Sequence, residues 1–185
     1  MPRVILMGPP GAGKGTQGEI LAESWQVPKI ATGDIFRAEI KQGTDLGLKV
    51  KSFSDSGRLV PDDIVIKVIE SRLRQPDTQV GWILDGFPRT VAQAEALDTL
   101  LTELNQPYDS VINLDVPDHF LLERLKARAV DQGRVDDTEE VIKNRLEEYN
   151  AKTKPLLEFY GKNVTQIDGT SSMPEVTEAI KKFLA

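Results

Sequence analysis

The chain has 185 residues, 39% hydrophobic and 28% charged, a composition that excludes disordered and membrane classes and fits one globular domain. Its 23 Lys and Arg against 29 Asp and Glu give a net charge of −6, which argues against a general nucleic-acid binder. Cysteine is absent and His119 is the single histidine, so disulfides, a thiol nucleophile, Cys-ligated zinc and a His triad are all excluded. Chemistry must run on Lys, Arg, Asp and backbone amides.

In chain order, a short apolar run at Arg3 to Met7 predicts the first strand; it is too short for a signal-peptide core or a membrane span, and the expected compartment is the cytoplasm. A helical pattern follows over Lys14 to Ser24, then a strand at Pro28 to Ile30 and a helix at Asp34 to Gln42. Residues 31–60 read as a helix-rich insertion with Gly43, Gly47 and Gly57. Further helices are expected at Pro61 to Arg74, Thr90 to Leu104, Asp118 to Ala129, Thr138 to Tyr160 and Pro174 to Leu184. Strands at Gly81 to Asp85, Ser110 to Leu114 and Val164 to Asp168 alternate with them. Strand and helix alternation predicts a parallel sheet, and strands apolar on both faces predict helices covering each side. The expected fold is therefore α/β, a doubly wound five-stranded parallel sheet.

The strongest local signal is Gly8-Pro9-Pro10-Gly11-Ala12-Gly13-Lys14-Gly15-Thr16, between an apolar strand and an amphipathic helix. Glycines let successive N–H groups point inward, the helix N-terminus adds partial positive charge, and Lys14 supplies a full charge to outer phosphates. The natural ligand is a polyphosphate. The general motif has Ser or Thr directly after the lysine, but here Gly15 precedes Thr16, so direct hydroxyl ligation of a metal is not expected. Asp85, at the end of a buried strand on the carboxyl edge of the sheet, is then the candidate holder of Mg2+ through water.

With this loop the chain resembles the adenylate kinases, a family of nucleoside monophosphate kinases, and Gly15 is that family's own departure from the general motif. The resemblance runs through Ala31 to Arg37 (ATGDIFR), Gly57 to Asp62 (GRLVPD), Asp85 to Thr90 (DGFPRT), Gly133 to Asp137 (GRVDD) and Ile167 to Thr170. It implies one P-loop kinase domain over 1–185, an AMP-binding insertion at 31–60, and a short lid at 129–135 without zinc. It further implies ATP contacts from Gly11, Ala12, Gly13, Lys14, Gly15, Thr16, Arg124, Arg128 and Ser171. For AMP it implies Thr32, Gly33, Arg37, Arg58, Leu59 and Val60, then Gly86, Phe87, Pro88 and Arg89, with Gln93 on the adenine. Gln93, four residues beyond Arg89, is expected on the same helical face.

Arg124 and Arg128 are four apart on one predicted helix, Arg134 lies in the loop beyond and Arg145 on the next helix. Alone, such arginines are most often solvated. Beside a phosphate loop they suit phosphoryl transfer, which needs permanently charged planar donors around the reacting phosphates. The resemblance assigns Arg124 and Arg128 to the ATP side, Arg134 and Arg145 to phosphates near the acceptor, and Asp136 and Asp137 to tethering the lid. The expected catalytic set is thus Lys14, Arg89, Arg124, Arg128, Arg134 and Arg145. No general base is needed, because the acceptor is a phosphate oxygen already ionised at neutral pH. The implied reaction is reversible transfer of the terminal phosphoryl group of magnesium ATP to AMP, giving two ADP, by a monomer without nucleic-acid or membrane partners. A UMP/CMP kinase and an ATP-binding module that transfers nothing are the alternatives; Thr32 and Gln93 argue against the first, the arginine set against the second.

Overall fold

The computed structural model describes residues 1–131 and 138–184, without the side chains of 130 and 131. Most of the expected lid, with Arg134, Asp136 and Asp137, lies outside the described residues. Five strands, β1 (Arg3–Met7), β2 (Lys29–Ala31), β3 (Trp82–Asp85), β4 (Ser110–Asp115) and β5 (Val164–Asp168), form one sheet in the order β2-β3-β1-β4-β5. Every pairing is parallel, with Ile5 opposite Leu84 on one side and Val111 on the other.

The helices are α1 (Lys14–Trp25), α2 (Thr32–Gln42), α3 (Asp45–Ser56), α4 (Asp62–Leu73), α5 (Val91–Glu103), α6 (Asp118–Asp131), α7 (Glu139–Glu148), α8 (Leu156–Tyr160) and α9 (Met173–Leu184). Alternation along β1 divides the core in two: Ile5 and Met7 face a cluster with Val65, Ile69, Leu97 and Leu156, whereas Val4 and Leu6 face Leu21, Leu121, Val176 and Ile180. Each such side chain, fully buried, contributes about 1.5–3 kcal/mol. Helices therefore cover both faces, as the doubly apolar strands required. The edge strand β5, by contrast, has exposed Gln166 and Asp168.

Two helices depart from expectation. The helix expected from Asp34 begins two residues earlier, at Thr32, whose hydroxyl donates to the Gly86 carbonyl and not to its own helix. The segment read as one helix from Thr138 to Tyr160 is α7, a π-helical turn at Tyr149–Thr153, and α8 beyond Pro155. Pro155 has no N–H for an i−4 bond, so an unbroken α-helix could not pass through it. Thr138 caps α7 by accepting from the Val141 N–H at 3.3 Å, as its sequence predicts.

Candidate active site

β1 is central, flanked by β3 and β4, and its carboxyl end is where ligands of such sheets bind. There the chain turns through Gly11 (φ +85°) and Gly13 (φ +99°) before α1 begins at Lys14. Both turns need positive φ, which residues with a Cβ resist. The Lys14 ammonium donates to the carbonyls of Gly8 at 2.7 Å and Pro9 at 3.0 Å, folding the side chain over its own loop. Burial presses its pKa down to about 8; Asp85 pulls it up, while Arg89 and Arg128 press it further down.

Beside it, Gly86 gathers the end of β3. Its carbonyl accepts from the Thr32 hydroxyl at 2.9 Å and from Arg89 Nε at 2.7 Å, joining the start of α2 to the arginine. A side chain at Gly86 would lie 2.7 Å from Arg89 Nη2 and 3.0 Å from Thr32 Oγ1. Burial also lowers the Arg89 pKa, with Arg145 and Arg37 acting the same way and Asp85 opposing them. Arg89 precedes the Thr90 cap of α5 and so is not on a helical face with Gln93; the two meet because the Gln93 side chain accepts from the Arg89 N–H at 2.8 Å.

These groups line a single cleft of about 730 Å³. The phosphate loop, Asp85, Arg124, Arg128 and Ser171 border it, and so do Thr32, Gly33, Arg37, Arg58, Leu59, Val60, Gly86, Pro88, Arg89, Gln93 and Arg145. Among the described residues, eight Lys and Arg side chains line it against four carboxylates, in a chain of net charge −6. Like charges so concentrated repel unless an anion is bound. Among the expected residues that are described, Phe87 is the exception: it is 1% exposed, does not border the cleft and packs in the core cluster.

A family model described as "Adenylate kinase" matches residues 6–165 of the chain. The chain is 54% identical to a protein named adenylate kinase from Leptospira biflexa serovar Patoc, aligned over the whole of both. It is 53% identical to one from a Cyanothece species, with 100% of this chain and 95% of that one covered. It is 42% identical to one from Methanosarcina barkeri, with 98% and 97% covered. The chain belongs to the adenylate kinase family. It is thus a phosphotransferase of the kinase class, on the family's α/β P-loop fold.

Several cleft residues carry no motif. Lys29 bridges Glu19 at 3.0 Å and Asp34 at 3.2 Å, and Asp34 also pairs with Arg37. Burial raises the Asp34 pKa, but Lys29 and Arg37 outweigh it and hold the carboxyl below its ordinary value. Glu148 accepts from the Leu59 N–H at 3.3 Å, and Asn144 donates to the Ser56 carbonyl at 2.9 Å, which ties the Arg58 wall to the helix of Arg145. Tyr149, whose pKa burial and then Asp115 push up to about 12, and Thr153 complete that side. The Tyr149–Thr153 break could be suspected from Pro155; the pairing of Lys29 with Asp34 had no local signal.

Proposed function

We propose that the chain transfers the terminal phosphoryl group of ATP reversibly to AMP, forming two ADP and so maintaining adenine nucleotide balance. The observation that carries this reading is one cleft bordered by the phosphate loop and by the Thr32 to Arg37 and Arg58 to Val60 walls, with Arg89 among them. That arrangement suits two phosphorylated ligands meeting end to end. In this reading the loop amides of Gly11 to Thr16 and Lys14 hold the donor phosphates, and Ser171 lies at the donor base. Thr32, Gly33, Arg37 and Arg58 hold the acceptor phosphate, with Leu59 and Val60 as apolar wall. Gln93 reads the acceptor base, and Gly86 to Pro88 form the strap that carries Arg89, Phe87 serving from the core.

The transferring group passes through a state with charge spread over its oxygens, and the protein's task is to place cations around it. Arg89, Arg124, Arg128 and Arg145, with Arg134 from the lid, fill that role, and a lid at 129–135 closing over them would keep water from the phosphoryl group. The acceptor oxygen is ionised already, so no side chain need remove a proton.

Asp85 suits magnesium. Its carboxylate lies 3.8 Å from where a side chain on Gly15 would begin, and among the described residues no three His, Cys, Asp or Glu side chains cluster. One carboxylate near a phosphate site fits a cation that keeps water and phosphate as its other ligands. When bound, the ion neutralises phosphate charge. No helix among the described residues is long and apolar enough to cross a membrane. We read the protein as a cytoplasmic monomer whose partners are ATP, ADP and AMP, without nucleic acid.

Incubation with magnesium ADP alone tests the reading. Equal amounts of ATP and AMP, with no inorganic phosphate, are expected; phosphate release, or no conversion, would contradict it.

A further inference from the structure

Gln93 is 1% exposed and lines the cleft, and its amide is held at both ends. Its Oε1 accepts from the Arg89 N–H at 2.8 Å, and its Nε2 donates to Asp62 Oδ1 at 2.8 Å. The other Asp62 oxygen accepts from the Thr90 hydroxyl at 3.1 Å, and that hydroxyl in turn caps α5 by accepting from the Gln93 N–H at 3.2 Å. The amide orientation is forced by its neighbours, since a backbone N–H can only donate and a carboxylate can only accept. A flipped amide would set N–H against N–H and oxygen against carboxylate.

We propose that Asp62 is a positioning residue that sets acceptor-base specificity by fixing the orientation of the Gln93 amide. The inference rests on the reading of the cleft as an AMP site and deepens it. After its bonds to Arg89 and Asp62, the amide keeps one N–H donor and one acceptor lone pair. Adenine offers a complementary pair, the N1 acceptor beside the 6-amino donor. A 6-oxopurine offers the reverse order, an N1–H donor beside the O6 acceptor. An amide free to flip serves both; an amide held by an N–H at its oxygen and a carboxylate at its nitrogen serves one, and without Asp62 the Arg89 N–H is left as the one opposing contact of the two. Pairs of this kind discriminate bases by about 1–3 kcal/mol, roughly five- to 150-fold. Asp62 opens α4 and Gln93 lies in the first turn of α5, so the clamp joins two helices through side chains 31 residues apart in sequence.

The test compares kcat/KM for AMP and for inosine monophosphate, which differ only at the purine 6-position and N1. Wild type is measured first; if it uses neither acceptor, the reading of the site fails and this inference falls with it. With wild type selective for AMP, Asp62→Ala should lower the AMP to IMP ratio roughly tenfold, mostly by gain on IMP. Asp62→Asn, whose side-chain oxygen can still accept from Gln93 Nε2, should retain the ratio within about threefold. Should Asp62→Ala not fold, Asp62→Ser is read in the same way, because serine keeps a polar side chain in the first turn of α4 but is too short to reach the amide. A folded Ala or Ser variant with the wild-type ratio, or an Asn variant that loses it as fully as Ala, would overturn the proposal.

Discussion

The hydroxyl of Thr153 donates to the carbonyl of Arg89 at 2.9 Å, across 64 residues of sequence. Thr153 is 7% exposed and lies at the end of the π-helical turn that follows α7. Single π turns of this kind are frequent at functional sites. Together with Gly86 on its side chain and Gln93 on its N–H, this bond fixes Arg89 from three directions. Thr153→Val removes the donor and leaves a carbonyl without it, at a cost of about 1–3 kcal/mol. If Arg89 acts on the transferring group and the loss falls on the transition state, kcat should fall roughly five- to 150-fold with little change in ATP KM. Thr153→Ser should restore it, and steady-state kinetics on the three proteins checks the order.

Lys14→Ala removes the full positive charge of the phosphate loop. Loss of one such preorganised contact costs roughly 100- to 1,000-fold in turnover. The fold should persist, because among the described residues the ammonium donates to carbonyls of its own loop, Gly8 and Pro9, and to no other element. Far-UV circular dichroism and ADP formation, measured together, separate the two effects.

The low pKa of Lys14, about 8 against an ordinary 10.5, sets a pH dependence with a definite sign. Phosphate binds the charged form, so ATP affinity should fall as pH rises past 8, approaching about tenfold per unit. Stability moves the other way. Between 8 and 10.5 the unfolded chain binds more protons at this group than the folded chain, so folding gains stability from Lys14 as pH rises there. Titration of a non-hydrolysable ATP analogue from pH 7 to 10 should show the fall in wild type and not in Lys14→Arg, whose charge is permanent.

Gly47→Ala should loosen the insertion selectively. An added Cβ would lie 2.2 Å from the Glu39 carbonyl oxygen and 2.7 Å from the Ile40 nitrogen, so α3 must move away from α2. Overpacking of this kind costs about 1–3 kcal/mol. The melting temperature should fall and AMP binding weaken more than ATP binding, since Arg37 is on α2 and the phosphate loop is not; calorimetric titration with each nucleotide checks this.

The fold was legible where one local rule decides. Strands such as Val4 to Leu6 and Trp82 to Leu84 are buried on both faces, so their apolar runs declare both strand and covering helices. The phosphate loop declares itself by glycine spacing, and the cleft brings its lysine together with the expected acceptor-side residues. What stayed hidden depends on chain segments far apart. Asp62 reads as an acid in a helix's first turn, and only the packing of α4 on α5 brings it to Gln93. Thr153 reads as an ordinary helical residue until Pro155 breaks the helix and its hydroxyl turns to Arg89. Phe87 sits inside a functional motif, yet its ring is core, because sequence order does not tell which side of a loop faces the cleft.

The central claim is tested most directly by ADP formation from magnesium ATP with AMP, UMP, CMP, GMP and dTMP offered separately, each beside an acceptor-free control. The account predicts rapid transfer to AMP, far slower transfer to the others and no turnover in the control. Preference for a pyrimidine acceptor would contradict the Gln93 base site, and turnover with none would contradict phosphoryl transfer itself.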